Sequence, residues 1–306
     1  MKKPFISWSL LFACNFMWSL QFTCIKLTQD QVGPFSTVWI PMTIATLFMF
    51  PFVLPHIKAK KIKLADLKVF VMLALLGQFP AQVLVTIGTQ HSTASNAAII
   101  NLSFPVISAL LAFLILKEKM NQLRWISFII AIVGVLMCSF NDIMGSNFSL
   151  QFILGNLLIL LGVFGSGFYN TICKKIAAGY TEMEMLFYTY IFMVLLLTPL
   201  VFIYESDTIM NIPNFTANTI TGLSLLTVFH NFLSMILFFM ALKNLEAIQV
   251  ALSNFLVTFF GVPIAALWLH EQLGFWSVAG GLLVLVSTLS ITVWDYNQSK
   301  SLPTII

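Results

Sequence analysis

Apolar runs of the length needed to cross a bilayer, about 20 residues at 1.5 Å rise each, follow one another along almost the whole chain. They occupy residues 5–27, 34–55, 67–89, 94–116, 123–140, 152–173, 183–204, 217–241, 246–269 and 275–294. The breaks between them carry turn and loop residues: Gly33-Pro34, Pro55 ahead of a basic loop, Asn141-Asp142, Pro213-Asn214 and Gly274. Only 8% of the 306 residues are charged, against about 25% in a soluble domain, which excludes a water-soluble fold. The first run is too long for the apolar part of a signal peptide and has no small-residue cleavage site, so it is retained as the first span. The four cysteines, Cys14, Cys24, Cys138 and Cys173, all fall inside apolar runs and read as buried free thiols, not as a disulfide framework.

Ten spans put both termini and every second loop on one side. That side collects Lys2, Lys3, Lys58, Lys60, Lys61, Lys63, Lys68, Lys117, Lys119, Arg124, Lys174, Lys175, Lys243 and Lys300, which is all of the 15 Lys and Arg except Lys26. Basic residues gather on the cytoplasmic side of membrane proteins, so both termini are expected in the cytoplasm of a cell that holds the chain in its inner or plasma membrane. The opposite loops hold Asp30, His91, Asp142, Glu205, Asp207 and Glu271. One missed or false span would scramble this partition.

Shifted by 153 residues against itself, the sequence aligns Asn101, Leu116 and Glu118 with Asn254, Leu269 and Glu271, and Gln78 with Asn231. At a shift of 149, Cys24-Ile25-Lys26 falls on Cys173-Lys174-Lys175. The expected fold is therefore an all-α integral membrane protein of ten transmembrane helices in two five-helix repeats, residues 1–143 and 144–306. Five is odd, so the second repeat enters the membrane from the opposite side, an arrangement that supports alternating access around a site near the midplane.

Several motifs taken together resemble the drug/metabolite transporter superfamily, in its EamA-type branch. They are Asn15-Phe16-Met17-Trp18-Ser19-Leu20-Gln21-Phe22 with Lys26, Thr93-Ala94-Ser95-Asn96-Ala97-Ala98 through Phe104-Pro105 to Leu116-Lys117-Glu118, and Glu246-Ala247 through Val262-Pro263 to His270-Glu271. The resemblance covers residues 5–294 and implies ten helices, a central cavity lined by helices 1–4 and 6–9, and export or exchange of amino acids and related metabolites. The chain departs from the pattern at Ser19, where glycine is usual, and in lacking an arginine in the second span.

Polar side chains at bilayer depth normally face the bundle interior or a water-filled cavity. Gln78 and Gln82, four apart on one face of the third span, His230 and Asn231 on the eighth, and the repeat-related Asn101 and Asn254 are the candidate substrate-binding residues, with Asn15 of the first motif and the aromatic residues Trp18, Trp39 and Tyr169. Amides offer donors and an acceptor together, which suits a polar neutral or zwitterionic solute. The competing reading is interhelical glue, at about 0.6 kcal/mol per bond. Pro80, Pro105 and Pro263 lie inside apolar runs, where proline removes a backbone bond and bends a helix, and Gly162, Gly165 and Gly167 permit close helix contact. Glu118 and Glu271 are expected to tie a helix end to its next turn.

All eleven Asp and Glu fall in loops or at helix ends. Coupling to protons or sodium commonly uses a buried carboxylate, so facilitation or exchange is favoured. No HExxH, GxSxG or intramembrane Asp pair is present and the four histidines lie at different depths, which argues against an enzyme. The expected partners are a small-molecule substrate and the lipid bilayer, with no nucleic acid, cofactor or metal and with a homodimer left open. Alternative cargoes are nucleoside- or nucleotide-like compounds, drug-like cations and lipid-linked sugars.

Overall fold

A computed structural model describes residues 2–59, 62–116, 122–138, 150–176, 179–242 and 253–301, and among them all regular structure is helical. Helices are the form these runs must take, because a bilayer core offers no water to satisfy exposed backbone N–H and C=O groups. Six helices are long and apolar enough to span: Ile6–Thr28, Pro34–Ile57, Leu64–His91, Leu150–Cys173, Glu182–Tyr204 and Ala217–Ala241. A seventh is reached if α6 (Ala94–Asn101) and α7 (Phe104–Leu116), which meet at a 42° bend, count as one broken span. The remaining runs form shorter apolar helices over Trp125–Met137, Leu256–Leu269 and Phe275–Ser287. Residues 117–121, with the expected helix-end Glu118, and the Cys138 side chain lie outside the described residues. Cys14, Cys24 and Cys173 are free and buried.

The first span consists of α1 (Lys2–Ser19) and α2 (Gln21–Thr28), and the second is α3 (Pro34–Ala59). The third runs from α4 (Leu64–Met72) through two π-helical stretches, Leu73–Gln78 and Pro80–Leu84, into α5 (Val85–His91). After the bent pair come α8 (Gln122–Cys138), α9 (Leu150–Ile176), α10 (Glu182–Tyr204) and a short α11 (Ser206–Met210). The eighth run is α12 (Ala217–Leu225), a π-stretch over Leu226–Leu233, and α13 (Ser234–Leu242); α14 (Phe255–Leu269) and α15 (Phe275–Ser301) complete the chain.

Helix starts follow local chemistry. Thr181 and Glu184 cap each other at the start of α10, the hydroxyl accepting from Glu184 N at 3.3 Å and the carboxylate from Thr181 N at 2.7 Å. Thr93 and Thr216 cap α6 and α12 in the same local way, and Pro34 begins α3, where its missing N–H costs nothing.

Helices of the first half, up to α8, pack on helices of the second, from α9. α1 lies on α13, α3 on α10, α5 and the π-stretches before it on α9, α6 on α14, and α8 on α15. Numbering the ten apolar runs of the sequence in chain order, these pairs are 1–8, 2–7, 3–6, 4–9 and 5–10. Adding five to each run of the first half, and subtracting five from each of the second, returns the same set of pairs. Polarity is distributed as lipid requires: Phe52, Leu195, Phe259 and Leu267 are each more than half exposed, while Asn15, Thr28, Ser36, Thr189 and Ser234 are fully enclosed.

The contact between the third span and α9 depends on small residues. A Cβ built on Gly165 would stand 2.7 Å from Pro80 Cβ and 2.8 Å from both Ala81 N and Gly77 O, and one on Gly162 would stand 2.4 Å from Val85 Cγ2. Backbone cannot yield cheaply, so Gly165→Val is expected to destabilise the protein by about 1–3 kcal/mol. Thermal unfolding of the purified protein measures this. Gly179→Ala, at a position with nothing within 4 Å of the added Cβ, serves as the unchanged reference.

Candidate functional site

Four irregularities in the helices open toward one point. At Ser19-Leu20 the first span breaks: the Ser19 hydroxyl donates to Phe16 O at 2.6 Å, and Leu20 N turns back to Met17 O at 3.3 Å. In the third span Pro80 has no N–H to give, and Phe79 N reaches five residues back to Ala74 O, the wide turn of a π-helix. The fourth span bends at Leu102-Ser103, just ahead of Pro105, where Leu102 N and Ser103 N take the tight bonds to Ile99 O and Ile100 O. The carbonyl of Ala98, left over at this bend, accepts from Thr258 Oγ1 of α14 at 2.6 Å. In the eighth span Ser234 N bonds Phe229 O, again five back. Pro263, by contrast, sits within an unbroken α14.

Between these irregularities lies a cavity of about 100 Å³. Its wall takes Trp18, Gln21 and Phe22 from the first break, Gln78, Ala81, Gln82 and Val85 from the third span, and Asn101 and Phe104 from the bend. The second half contributes Ile159, Val163, Ser166, Tyr169 and Asn170 from α9, with His230, Met235, Phe238, Asn254 and Val257. Gln21 Nε2 stands 3.4 Å from Gln82 Oε1, joining two of these walls. Trp18 stacks tilted on Phe238 with ring centres 5.1 Å apart, and the buried Tyr169 lies beside Cys173 and Thr189.

Seven of the ten residues expected from the sequence therefore share this cavity: Trp18, Gln78, Gln82, Asn101, Tyr169, His230 and Asn254. Three lie off it. Asn15 donates to Leu11 O at 2.8 Å and to Ser253 Oγ at 2.9 Å, tying the first span to the start of α14. The Trp39 indole donates to Thr198 Oγ1 at 2.9 Å and meets Phe202 edge to face, joining α3 to α10. Asn231 is taken up by its own π-turn: its Nδ2 donates to Leu226 O, five residues back, at 2.9 Å, and Tyr190 Oη donates to its backbone carbonyl at 3.0 Å. The wide turn gives His230 to the cavity in place of Asn231. Gln21, Ser166 and Asn170 were not among the expected residues; Gln21 stands in the Trp18 motif and Asn170 next to Tyr169, which are the signals that point to them.

Four buried polar atoms on this wall, Trp18 Nε1, Gln78 Oε1, Tyr169 Oη and His230 Nδ1, have no hydrogen-bond partner among the described residues. Buried polar atoms are nearly always paired, so four open ones on one wall make this cavity the candidate site.

One end of the bundle, that of the loops poor in Lys and Arg, is clasped across the halves. Glu205, at the end of α10, accepts from Phe35 N at 2.9 Å and Ser36 N at 2.7 Å, the first N–H groups of α3. Glu271, just past α14, accepts from Ala94 N and Ser95 N, both at 2.8 Å, at the start of α6. Each carboxylate fills unsatisfied donors at the positive end of a helix dipole. Glu271 thus ties its own helix end to a different helix, not to its next turn. It is aimed by His270, whose φ of 55° is left-handed, a conformation costing a non-glycine residue about 1 kcal/mol. Lys26 donates to Gln90 O at 3.1 Å and lies within electrostatic reach of Glu271 and Asp30. Gln31 completes the clasp, accepting from Thr216 N and Thr219 Oγ1, both at 2.7 Å. At the opposite end Tyr180 Oη donates to Asp66 at 2.7 Å.

A single family model, that of the EamA-like transporter family, matches residues 6–140 and again residues 153–293. The chain belongs to this family. It is a multi-pass membrane transporter, in keeping with its relatives. An uncharacterized transporter of Archaeoglobus fulgidus is 25% identical over 287 residues, covering 94% of this chain and 97% of that one. The uncharacterized transporter YcxC of Bacillus subtilis is 23% identical over 287 residues, covering 91% and 90%. A solved crystal structure at 12% identity superposes with a TM-score of 0.65 over 95% of this chain and 98% of that one, which is a likeness of fold alone. In this EamA-like protein the cavity lies between the two matched segments, with wall residues drawn from both.

A Cβ on Gly33 would fall 2.2 Å from the Glu205 carboxyl carbon, so Gly33→Ala evicts that carboxylate from the α3 start as Glu271→Gln weakens the other clasp. Each charge-assisted bond contributes about 1.5–3 kcal/mol. Hydrogen-exchange mass spectrometry is expected to show faster exchange over residues 35–38 in Gly33→Ala and over residues 94–97 in Glu271→Gln, with the π-stretch over Leu226–Leu233 unchanged.

Proposed function

We propose that this EamA-like protein carries a small metabolite through the cavity between its halves by alternating access, as an exporter or exchanger, with amino acids and related compounds the first class to test. The observation that carries the reading is the cavity itself: uncharged polar groups and aromatic rings from both matched segments converge there, at breaks in helices that are otherwise continuous. Irregular backbone at bilayer depth is tolerated where it lines a cavity. The reading takes ten crossings by counting the bent pair as one and each of the three shorter apolar helices as one more beside the six full-length spans. The span pairing that survives exchange of the halves is what an inverted repeat requires, and in such a device one packing opens to one side and its mirror to the other.

The carboxylate clasps supply a reason for one end to stay shut. Opening that end would expose the N-termini of α3 and α6 to water and cost the Glu205 and Glu271 bonds. No Asp or Glu lines the cavity among the described residues, which favours exchange or facilitation over strong ion coupling. The reading takes both termini as cytoplasmic, supported by the gathering of Lys and Arg in the loops on their side.

Liposomes loaded with unlabelled amino acids and presented with the labelled forms test the reading by counterflow. Saturable counterflow of at least one is expected. Gln78→Ala combined with Asn254→Ala is expected to lower the initial rate about tenfold or more without changing the melting temperature by more than a few degrees. Trp39→Phe, off the cavity, is expected to leave the rate within about twofold. Unchanged flux in the double variant would remove the cavity from the transport path.

A further inference from the structure

Among the described residues, the cavity wall holds no Asp, Glu, Lys or Arg. A solute with a net charge must shed its hydration on entering and finds no opposite charge in return, which is costly. The wall is otherwise rich in hydrogen-bonding groups that both donate and accept: the amides of Gln21, Gln78, Gln82, Asn101, Asn170 and Asn254. Of its four unpartnered atoms, Trp18 Nε1 only donates and Gln78 Oε1 only accepts, while the Tyr169 hydroxyl can do both and His230 Nδ1 takes either role according to tautomer. Gln78 and His230 are 4% and 6% exposed, so water outside the bundle does not serve them. The flat faces come from Trp18, Phe22, Phe104, Tyr169 and Phe238.

From this pattern we propose a substrate class: a net-uncharged, flat solute carrying a donor and an acceptor together, such as a heteroaromatic ring bearing a carboxamide, with matched anions and cations turned away. The donor of Trp18 meets the solute carbonyl, the acceptor of Gln78 its N–H, and the rings stack on its faces. Aromatic boxes also attract cations through their ring faces. A cation would nevertheless find no carboxylate on the wall to offset its lost hydration, and a carboxylate anion would leave Gln78 Oε1 without a donor. The proposal rests on the transport reading only in taking this cavity as the substrate site.

Three probes of nearly one size separate the cases: nicotinamide is neutral, nicotinate an anion and 1-methylnicotinamide a cation. Equilibrium dialysis of the labelled probes against purified full-length protein measures binding without requiring flux. Saturable binding of nicotinamide, about tenfold tighter than either ion, is expected. Trp18→Phe, which keeps a ring but removes the N–H, is expected to weaken it about three- to tenfold. Gln78→Glu, nearly the same in shape but negative, is expected to shift preference toward 1-methylnicotinamide, an exchange that a merely structural role for Gln78 would not produce. Folding of both variants is checked by melting temperature, and either one that folds decides the point. Binding of nicotinate or 1-methylnicotinamide as tight as nicotinamide overturns the proposal, as does absence of saturable nicotinamide binding. Amino-acid counterflow in the liposomes alongside either negative result leaves the transport reading standing and removes only this substrate class.

Discussion

Inside a bilayer every backbone N–H and C=O must find its partner within the protein, and the rest of this structure follows from how that requirement is met and where it is relaxed. Along most of the chain the partner is four residues away and the helix runs on. It is relaxed at Ser19-Leu20, at the π-stretches Leu73–Gln78, Pro80–Leu84 and Leu226–Leu233, and at Leu102-Ser103. Each is repaired locally: by the Ser19 hydroxyl, by bonds reaching five residues back, by Asn231 filling its own turn, and by Thr258 meeting Ala98. All four regions put side chains on the wall of one cavity. The cost of irregular backbone is thus incurred where a polar site requires it.

Helix ends are governed by the same requirement on the opposite scale of distance. The first donors of α10 and α12 are satisfied by threonines one turn away, but those of α3 and α6 are also met by carboxylates about 170 to 180 residues away along the chain. A backbone need that a local cap alone would meet is used to hold two halves together. These bonds carry charge and sit at helix dipoles, so on the proposed alternating-access reading they would hold one end closed, with only two side chains to move for its release.

Much of this was legible in the sequence. The apolar runs place the spans, and most observed helices begin and end within a few residues of them, as at Pro34, Glu182 and Ala217. The rule that intramembrane polar groups face inward found Gln78, Gln82, Asn101, His230 and Asn254 without any contact information. Asn231 is also buried but lies off the cavity wall, its Nδ2 closing the π-turn onto Leu226 O, which no periodicity argument registers. Asn15 and Trp39 lie off the wall because a polar group that needs a partner finds it as well in a neighbouring helix as in a solute, the competing reading of the sequence. The partners of Glu205 and Glu271 were beyond sequence reasoning: a carboxylate at a helix end is visible, but which distant helix start it meets is set by packing alone.

The alternating-access proposal requires that the cavity between the halves be reached from each side of the membrane in turn. Ser166 lies on its wall, and the native thiols at Cys14, Cys24 and Cys173 are buried. A single cysteine at that position, Ser166→Cys in a background freed of the other four, can be reacted with a membrane-impermeant maleimide in oriented vesicles. Labelling from either face, with cross-linking of Glu205 or Glu271 to its helix-start partner abolishing labelling from that face only, is the predicted result. Labelling from one face alone under all conditions, or simultaneous passage of the reagent through the protein, would contradict it.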